Sequence, residues 1–186
     1  NAKRVSEMIE RGDSSGVKEA MEKSLAEGSQ TFEEDIARLI TEGTISRWLE
    51  ESLAVIDRFA TGRLLLVGSS MGGWIALRAV DEFRKRGENG RVAGIVLIAP
   101  APDFTSVLIE PHLTEKERRS LEEKGYFEEK SEYSDEPNRY TRALLEDGRH
   151  NLVMGGLIET GCPVHILQGM RDPDVPYTHA LGIMEK

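Results

Sequence analysis

Cysteine is nearly absent from this chain. Cys162 stands alone, so no internal disulfide forms and the fold must rest on a packed core. Just ahead of an apolar run, it reads as a small buried hydrophobe. No apolar run is long enough to span a membrane. No His and Cys residues stand at metal-ligand spacing, no P-loop occurs, and no internal repeat is visible. Positive charge is in deficit: the formal net charge is −9, which disfavours nucleic acid and anionic membrane as partners. No segment has the form of a signal peptide, and a cytoplasmic location is expected. What is there, 186 residues of which 39% are hydrophobic, suffices for one domain with a sizeable core.

The most informative stretch is Gly68-Ser69-Ser70-Met71-Gly72-Gly73. It follows Arg63-Leu64-Leu65-Leu66-Val67, which reads as a strand buried on both faces. It precedes Trp74-Ile75-Ala76-Leu77-Arg78-Ala79-Val80, whose apolar groups recur at helical spacing. The pattern is therefore strand, G-x-S-x-G, helix. By chance G-x-S-x-G arises in roughly one chain in twenty of this length; the flanking strand and helix remove most such matches. A reversal this tight forces Ser70 into a strained backbone conformation. Gly68 and Gly72 lack a Cβ, which predicts a close approach of strand and helix there. Ser70 then stands at a helix amino end, where free N–H groups and a partial positive charge gather. The Met71 N–H is placed to meet an oxyanion formed when Ser70 attacks a carbonyl.

A second apolar run, Cys162-Pro163-Val164-His165-Ile166-Leu167-Gln168, predicts another strand. It enters Gly169-Met170-Arg171-Asp172-Pro173-Asp174-Val175-Pro176. A carboxylate at a strand's carboxyl end, in such a turn, sits where an acid that orients a histidine belongs. The other reading of Asp172 is a turn aspartate bonding its own backbone.

With these motifs the chain resembles the α/β-hydrolase superfamily, whose acid commonly lies in a G-x-x-D-x-x-V-P turn after the penultimate strand. Asp172 fills that place, with Gly169 before it and Val175-Pro176 after; Asp174 is one register off and reads as a solvated turn residue. Glu42-Gly43-Thr44-Ile45-Ser46-Arg47-Trp48-Leu49-Glu50, Ala93-Gly94-Ile95-Val96-Leu97-Ile98-Ala99-Pro100-Ala101-Pro102-Asp103-Phe104 and Gln168-Gly169-Met170 extend the likeness. Together they resemble a bacterial group of hydrolases similar to a mitochondrial palmitoyl-protein thioesterase, over roughly residues 44–186. The resemblance implies a serine hydrolase of carboxylic esters or thioesters, working through an acyl-enzyme on a small-molecule or acylated substrate. It implies no metal and no organic cofactor. Its site residues carry over as Ser70 and Asp172, the Met71 backbone N–H, and the elbow glycines Gly68, Gly72 and Gly73.

The family's histidine follows one further strand beyond the acid, and no residue of this chain matches it. His179 follows Asp172 closely and falls in a predicted helix, where it reads as a surface or packing residue. His165 lies inside a predicted strand and reads as a core histidine with a bonded ring. His112 and His150 fall in a charged insert, with solvated or capping roles. No histidine precedes Ser70. Nor is there a counterpart of the family's earlier strands, one of whose loops supplies a second oxyanion donor. The domain is therefore expected to be incomplete and weakly active or inactive. Two alternatives stay open: a non-catalytic interaction module or chimeric fragment, and an acyltransferase or peptidase on the same fold. Oligomeric state is not legible.

Residues 1–43 are helical in pattern, with breaks at Gly12-Asp13-Ser14-Ser15-Gly16 and Gly28-Ser29. Met8-Ile9-Glu10-Arg11-Gly12-Asp13, Val17-Lys18-Glu19-Ala20-Met21-Glu22-Lys23-Ser24 and Gly28-Ser29-Gln30-Thr31-Phe32-Glu33-Glu34-Asp35-Ile36-Ala37-Arg38-Leu39-Ile40 resemble the C-terminal tail of a type IV pilus retraction ATPase. The expected organisation is thus a helical segment of separate origin over 1–43 and an incomplete α/β-hydrolase domain over 44–186.

The expected fold class is α/β: a partial hydrolase fold in which a parallel sheet carries flanking helices and a small helical cap. The elements expected are a helix over 45–60, strands over 63–67, 92–98 and 164–168, and a helix over 71–86. An insert over about 102–160 carries helices near 114–124 and 137–150. Its members Leu108, Ile109, Tyr126, Phe127, Tyr133, Tyr140 and Leu144 either line an acyl pocket or seat the insert on the sheet.

Overall fold

A computed structural model describes residues 43–130 and 137–186. The helices expected ahead of residue 44, and Tyr133 of the insert, lie outside the described residues.

The described unit opens on helix α1 (Ile45–Phe59), whose cap is Thr44: the hydroxyl accepts the Arg47 N–H at 3.2 Å. Ile45, Leu49 and Leu53 recur at helical spacing and are buried. Phe59, the last residue of the helix, lies beyond this packed stretch and is 77% exposed. Strand β1 (Leu64–Ser69) passes through Ser70 into helix α2 (Met71–Lys85). Trp74, Ile75, Leu77, Val80 and Phe83 of α2 are buried and form the centre of the core with Ile95 and Leu97 of strand β2 (Val92–Ile98).

The insert follows. A π turn at Thr105–Ile109 and a short 3₁₀ turn at Glu110–His112 lead to helix α3 (Glu115–Lys124). Thr114 and Glu117 close a capping box at its start, and Gly125 ends it at φ 81°. The helix expected from 137 is corrected: Asn138–Thr141 is strand β4, antiparallel to β3 (Tyr126–Glu129). Tyr140 and Thr141 favour a pleated strand, and the Thr141 hydroxyl then caps helix α4 (Arg142–Arg149) by accepting the Leu144 N–H at 3.1 Å. Leu121, Phe127 and Leu145 make a small second core, with Tyr140 stacked on Phe127 at 5.2 Å between centroids. Phe127, Tyr140 and Leu144 therefore seat the insert. Strand β5 (Val164–Leu167) and helix α5 (Tyr177–Met184) complete the described chain. No helix among the described residues is long and apolar enough to cross a membrane.

The three core strands are adjacent and parallel in the order β1-β2-β5. Ser69 pairs with Ile98, and Ile98 with Leu167, so the carboxyl ends are level. Burial on both faces is not what the described residues show. Leu64, Leu66 and Ile166 face the helical core, while Leu65, Val67 and Leu167 on the opposite face are 65%, 63% and 58% exposed. Side chains alternate along each strand, and the described helices cover one side.

Candidate active site

The level carboxyl ends of β1, β2 and β5 form the edge on which the site is built. Ser70 sits between β1 and α2 with φ 50° and ψ −123°, a conformation that costs an L-residue of order 1–3 kcal/mol. The surroundings hold it there. Its N–H donates to the Ile98 carbonyl at 2.9 Å, and its carbonyl accepts the Gly73 N–H at 2.9 Å and the Ala101 N–H at 3.1 Å. The side chain makes no capping bond, and the residue is exposed. The Met71 N–H, in the first turn of α2, has no acceptor among the described residues.

The elbow glycines divide by role. A Cβ at Gly68 would lie 2.6 Å from the Gly72 carbonyl carbon and 2.7 Å from the Gly73 nitrogen, closer still to the Gly72 oxygen. Only glycine permits that approach. Gly73 is tight as well, 3.0 Å from the Pro100 Cβ. The expectation that Gly72 also needs a missing Cβ is corrected: nothing lies within 4 Å of the position. Gly72 contributes its backbone to the contact with Gly68, and its own Cβ direction is open.

Asp172 lies in the turn after β5, half-buried. Its Oδ1 accepts the Asp174 N–H at 3.0 Å and the Val175 N–H at 2.9 Å, so it closes the turn on its own backbone. Oδ2 takes no partner among the described residues and remains open to a second donor. Val175 is buried and its carbonyl accepts from Gln168 Nε2 at 3.0 Å, which fixes the turn against the end of β5. Asp174 is exposed. Ser70 and Asp172 thus leave the strands on either side of β2. Two strand spacings separate those strands by about 10 Å, and one imidazole ring with two hydrogen bonds of about 2.8 Å spans a gap of that order.

None of the four histidines is hydrogen-bonded to Ser70 or Asp172. His179 on α5 is half-buried with Nε2 2.8 Å from the Pro102 carbonyl, so this nitrogen carries the proton and the ring packs as expected. His165 is corrected: it is exposed, because this position faces the side of the sheet that the described helices leave uncovered. His112 and His150 are exposed.

Sequence reasoning gave no role to Asp103. It is buried, and both carboxylate oxygens accept backbone N–H groups, from Val153 at 2.9 Å and Met154 at 2.8 Å. Burial holds its carboxyl above the usual carboxylate range, against those two N–H groups and His179, which act to lower it. The available signal was a carboxylate set among Ala, Pro and Phe directly after a strand.

A family model described as alpha/beta hydrolase family matches residues 28–186. The chain belongs to the alpha/beta hydrolase family. The match begins ahead of the boundary expected at residue 44. The human protein named palmitoyl-protein thioesterase ABHD10, mitochondrial, is 30% identical over 146 residues, which are 78% of this chain and 46% of that protein. The mouse protein of the same name is 32% identical over 150 residues, 79% of this chain and 48% of its own length. The crystal structure of a putative hydrolase from Agrobacterium vitis S4 aligns with a TM-score of 0.75 and 68% identity, covering 77% of this chain and 56% of that one. The structure of mouse alpha/beta hydrolase domain-containing protein 10 aligns with a TM-score of 0.65 and 29% identity, with the same coverage. The chain spans about half the length of the curated relatives it matches.

Proposed function

We propose that this chain carries the nucleophile and acid of a serine hydrolase that cleaves carboxylic esters or thioesters through an acyl-enzyme. The observation that carries the reading is Ser70: a strained serine with a free side chain at a strand end, beside the unused Met71 N–H. The thioesterase name of the ABHD10 relatives supports the substrate class. The matching motifs support Asp172 as the acid.

In this chemistry a histidine takes the Ser70 proton while Ser70 Oγ attacks the acyl carbonyl. The Met71 N–H donates to the oxyanion that forms. Asp172 Oδ2 holds the histidine's other ring nitrogen and stabilises the imidazolium. The imidazolium protonates the leaving alcohol or thiol, and water then releases the acid. The described residues supply Ser70, one oxyanion donor and Asp172; the base and a second donor have no counterpart among them. On this reading the activity of these residues alone is weak or absent. Residues 1–43 stay proposed as a segment of separate origin, and a cytoplasmic setting stays proposed for the chain.

The test is incubation with a fluorophosphonate probe and a short-chain nitrophenyl ester. Slow labelling of Ser70, lost in Ser70→Ala, supports the nucleophile. Labelling elsewhere, or ester turnover that survives Ser70→Ala, overturns it. A full burst of nitrophenol overturns the weak-activity reading. A chain never labelled under any condition fits the second reading, a non-catalytic interaction module, which draws on the lack of any histidine bonded to Ser70 or Asp172.

A further inference from the structure

Among the described residues, three that are not glycine hold a left-handed φ: Ser70 at 50°, Ala99 at 42° and Asp103 at 56°. All three stand at the carboxyl edge of the sheet. Such strain persists only where the surroundings over-determine it. The elbow accounts for Ser70. Ala99 and Asp103 bound the short segment that leaves β2, and hydrogen bonds tie that segment to distant parts of the chain. The Ala101 N–H donates to the Ser70 carbonyl at 3.1 Å. The Pro102 carbonyl accepts from His179 Nε2 on α5 at 2.8 Å. The Asp103 carboxylate accepts the Val153 and Met154 N–H groups, 50 and 51 residues further on. Asp103 opens the insert and those two residues follow its last helix, α4, so one side chain ties the start of the insert to the chain leaving that helix. At 3% exposure, the carboxylate is shielded from competing water.

We propose that Asp103 is a positioning residue of this site. Its carboxylate clasps the start of the insert to the chain that leaves α4, and the strained segment it closes keeps α5, with the Asp172 turn, in register with Ser70. The catalytic half of this inference rests on the reading of Ser70 as nucleophile; the clasp itself does not. Two converging N–H groups require two acceptor oxygens. Asparagine offers one and turns its NH₂ against the other donor. Because asparagine tolerates a left-handed φ, Asp103→Asn removes the bond and leaves the backbone conformation allowed.

Amide hydrogen exchange on the full chain tests the clasp. In Asp103→Asn, exchange at Val153 and Met154 is expected to rise at least about tenfold, the usual cost of one lost buried hydrogen bond, while Ile95 and Leu97 keep their rates. His179→Ala should raise exchange at Asp174 and Val175, and His179→Gln, which keeps an N–H for Pro102, should restore it. Unchanged rates at Val153 and Met154, or a parallel rise at Ile95 and Leu97, would overturn the clasp. A second readout separates positioning from bulk stability: the ratio of Ser70 labelling by long-chain and short-chain fluorophosphonates. A fall in that ratio in Asp103→Asn supports positioning over the site; equal slowing of both refutes it. If Ser70 is not labelled in the parent chain, the nucleophile reading fails and exchange alone decides the clasp.

Discussion

Replacing Gly68 by alanine puts the elbow under the most direct strain the site offers. The added Cβ meets backbone only: 2.6 Å to the Gly72 carbonyl carbon and 2.7 Å to the Gly73 nitrogen. Ordinary contact needs about 3.5 Å, so β1 and the first turn of α2 must part by about 1 Å. Neither partner is free to do so. Ser70 N–H is bonded to Ile98 at 2.9 Å, and Gly73 N–H to Ser70 at 2.9 Å. Overpacking into a well-filled core costs about 1–3 kcal/mol, occasionally more; with backbone on both sides the upper end applies, about 3 kcal/mol. For a unit of this size that lowers the midpoint by about 10 °C. The control is Gly72→Ala, where nothing lies within 4 Å. It should be neutral, or up to about 1 kcal/mol stabilising, because alanine suits a helix better than glycine. Urea unfolding followed by tryptophan fluorescence gives both values. Gly68→Ala within about 0.5 kcal/mol of the parent, or a Gly72→Ala cost of equal size, would refute the reasoning.

Ser70→Gly should raise stability by about 1 kcal/mol while abolishing probe labelling, because glycine takes the left-handed φ without strain; calorimetry beside labelling checks both. Trp74→Phe removes the Nε1–H bond to the Asn151 carbonyl at 2.9 Å in a buried setting. It should cost about 1–3 kcal/mol in urea unfolding. Gly148→Ala sets a Cβ 3.1 Å from the Thr105 Cβ and closer to its hydroxyl, and should destabilise by about 1–3 kcal/mol. Asp103 has a raised carboxyl pKa in the folded chain, so the folded state binds more protons than the unfolded one in that window. Stability from this group therefore rises as pH falls from neutrality toward about 4. The parent should gain on Asp103→Asn over that range, and a gap that widens as pH falls in favour of the variant would refute the sign.

Much of this architecture is local and was legible. Apolar runs bounded by glycine placed β1, β2 and β5 within two residues at each end, with β2 at 92–98 as expected. The helical spacing after Gly73 placed α2, and the G-x-S-x-G pattern implied a strained Ser70, which has φ 50°. These follow because backbone hydrogen bonding and side-chain periodicity act over a few residues. What the sequence by itself determined is the strand–elbow–helix unit and the Asp172 turn, both specified by contiguous residues.

Tertiary structure decided the rest. Tyr140 and Thr141 sit in a strand because β3 is there to pair with them, a partner no helical pattern reveals. His165 is exposed because the described helices cover one side of the sheet, while an apolar run reads the same whether one face or both are covered. Gly68 and Gly73 are constrained and Gly72 is open because a Cβ direction, not a motif, decides what it meets. Asp103 acquires its partners from residues 50 and 51 positions away, a distance across which one sequence carries no pairing signal. Burial and hydrogen-bond satisfaction depend on neighbours that only the folded chain brings together.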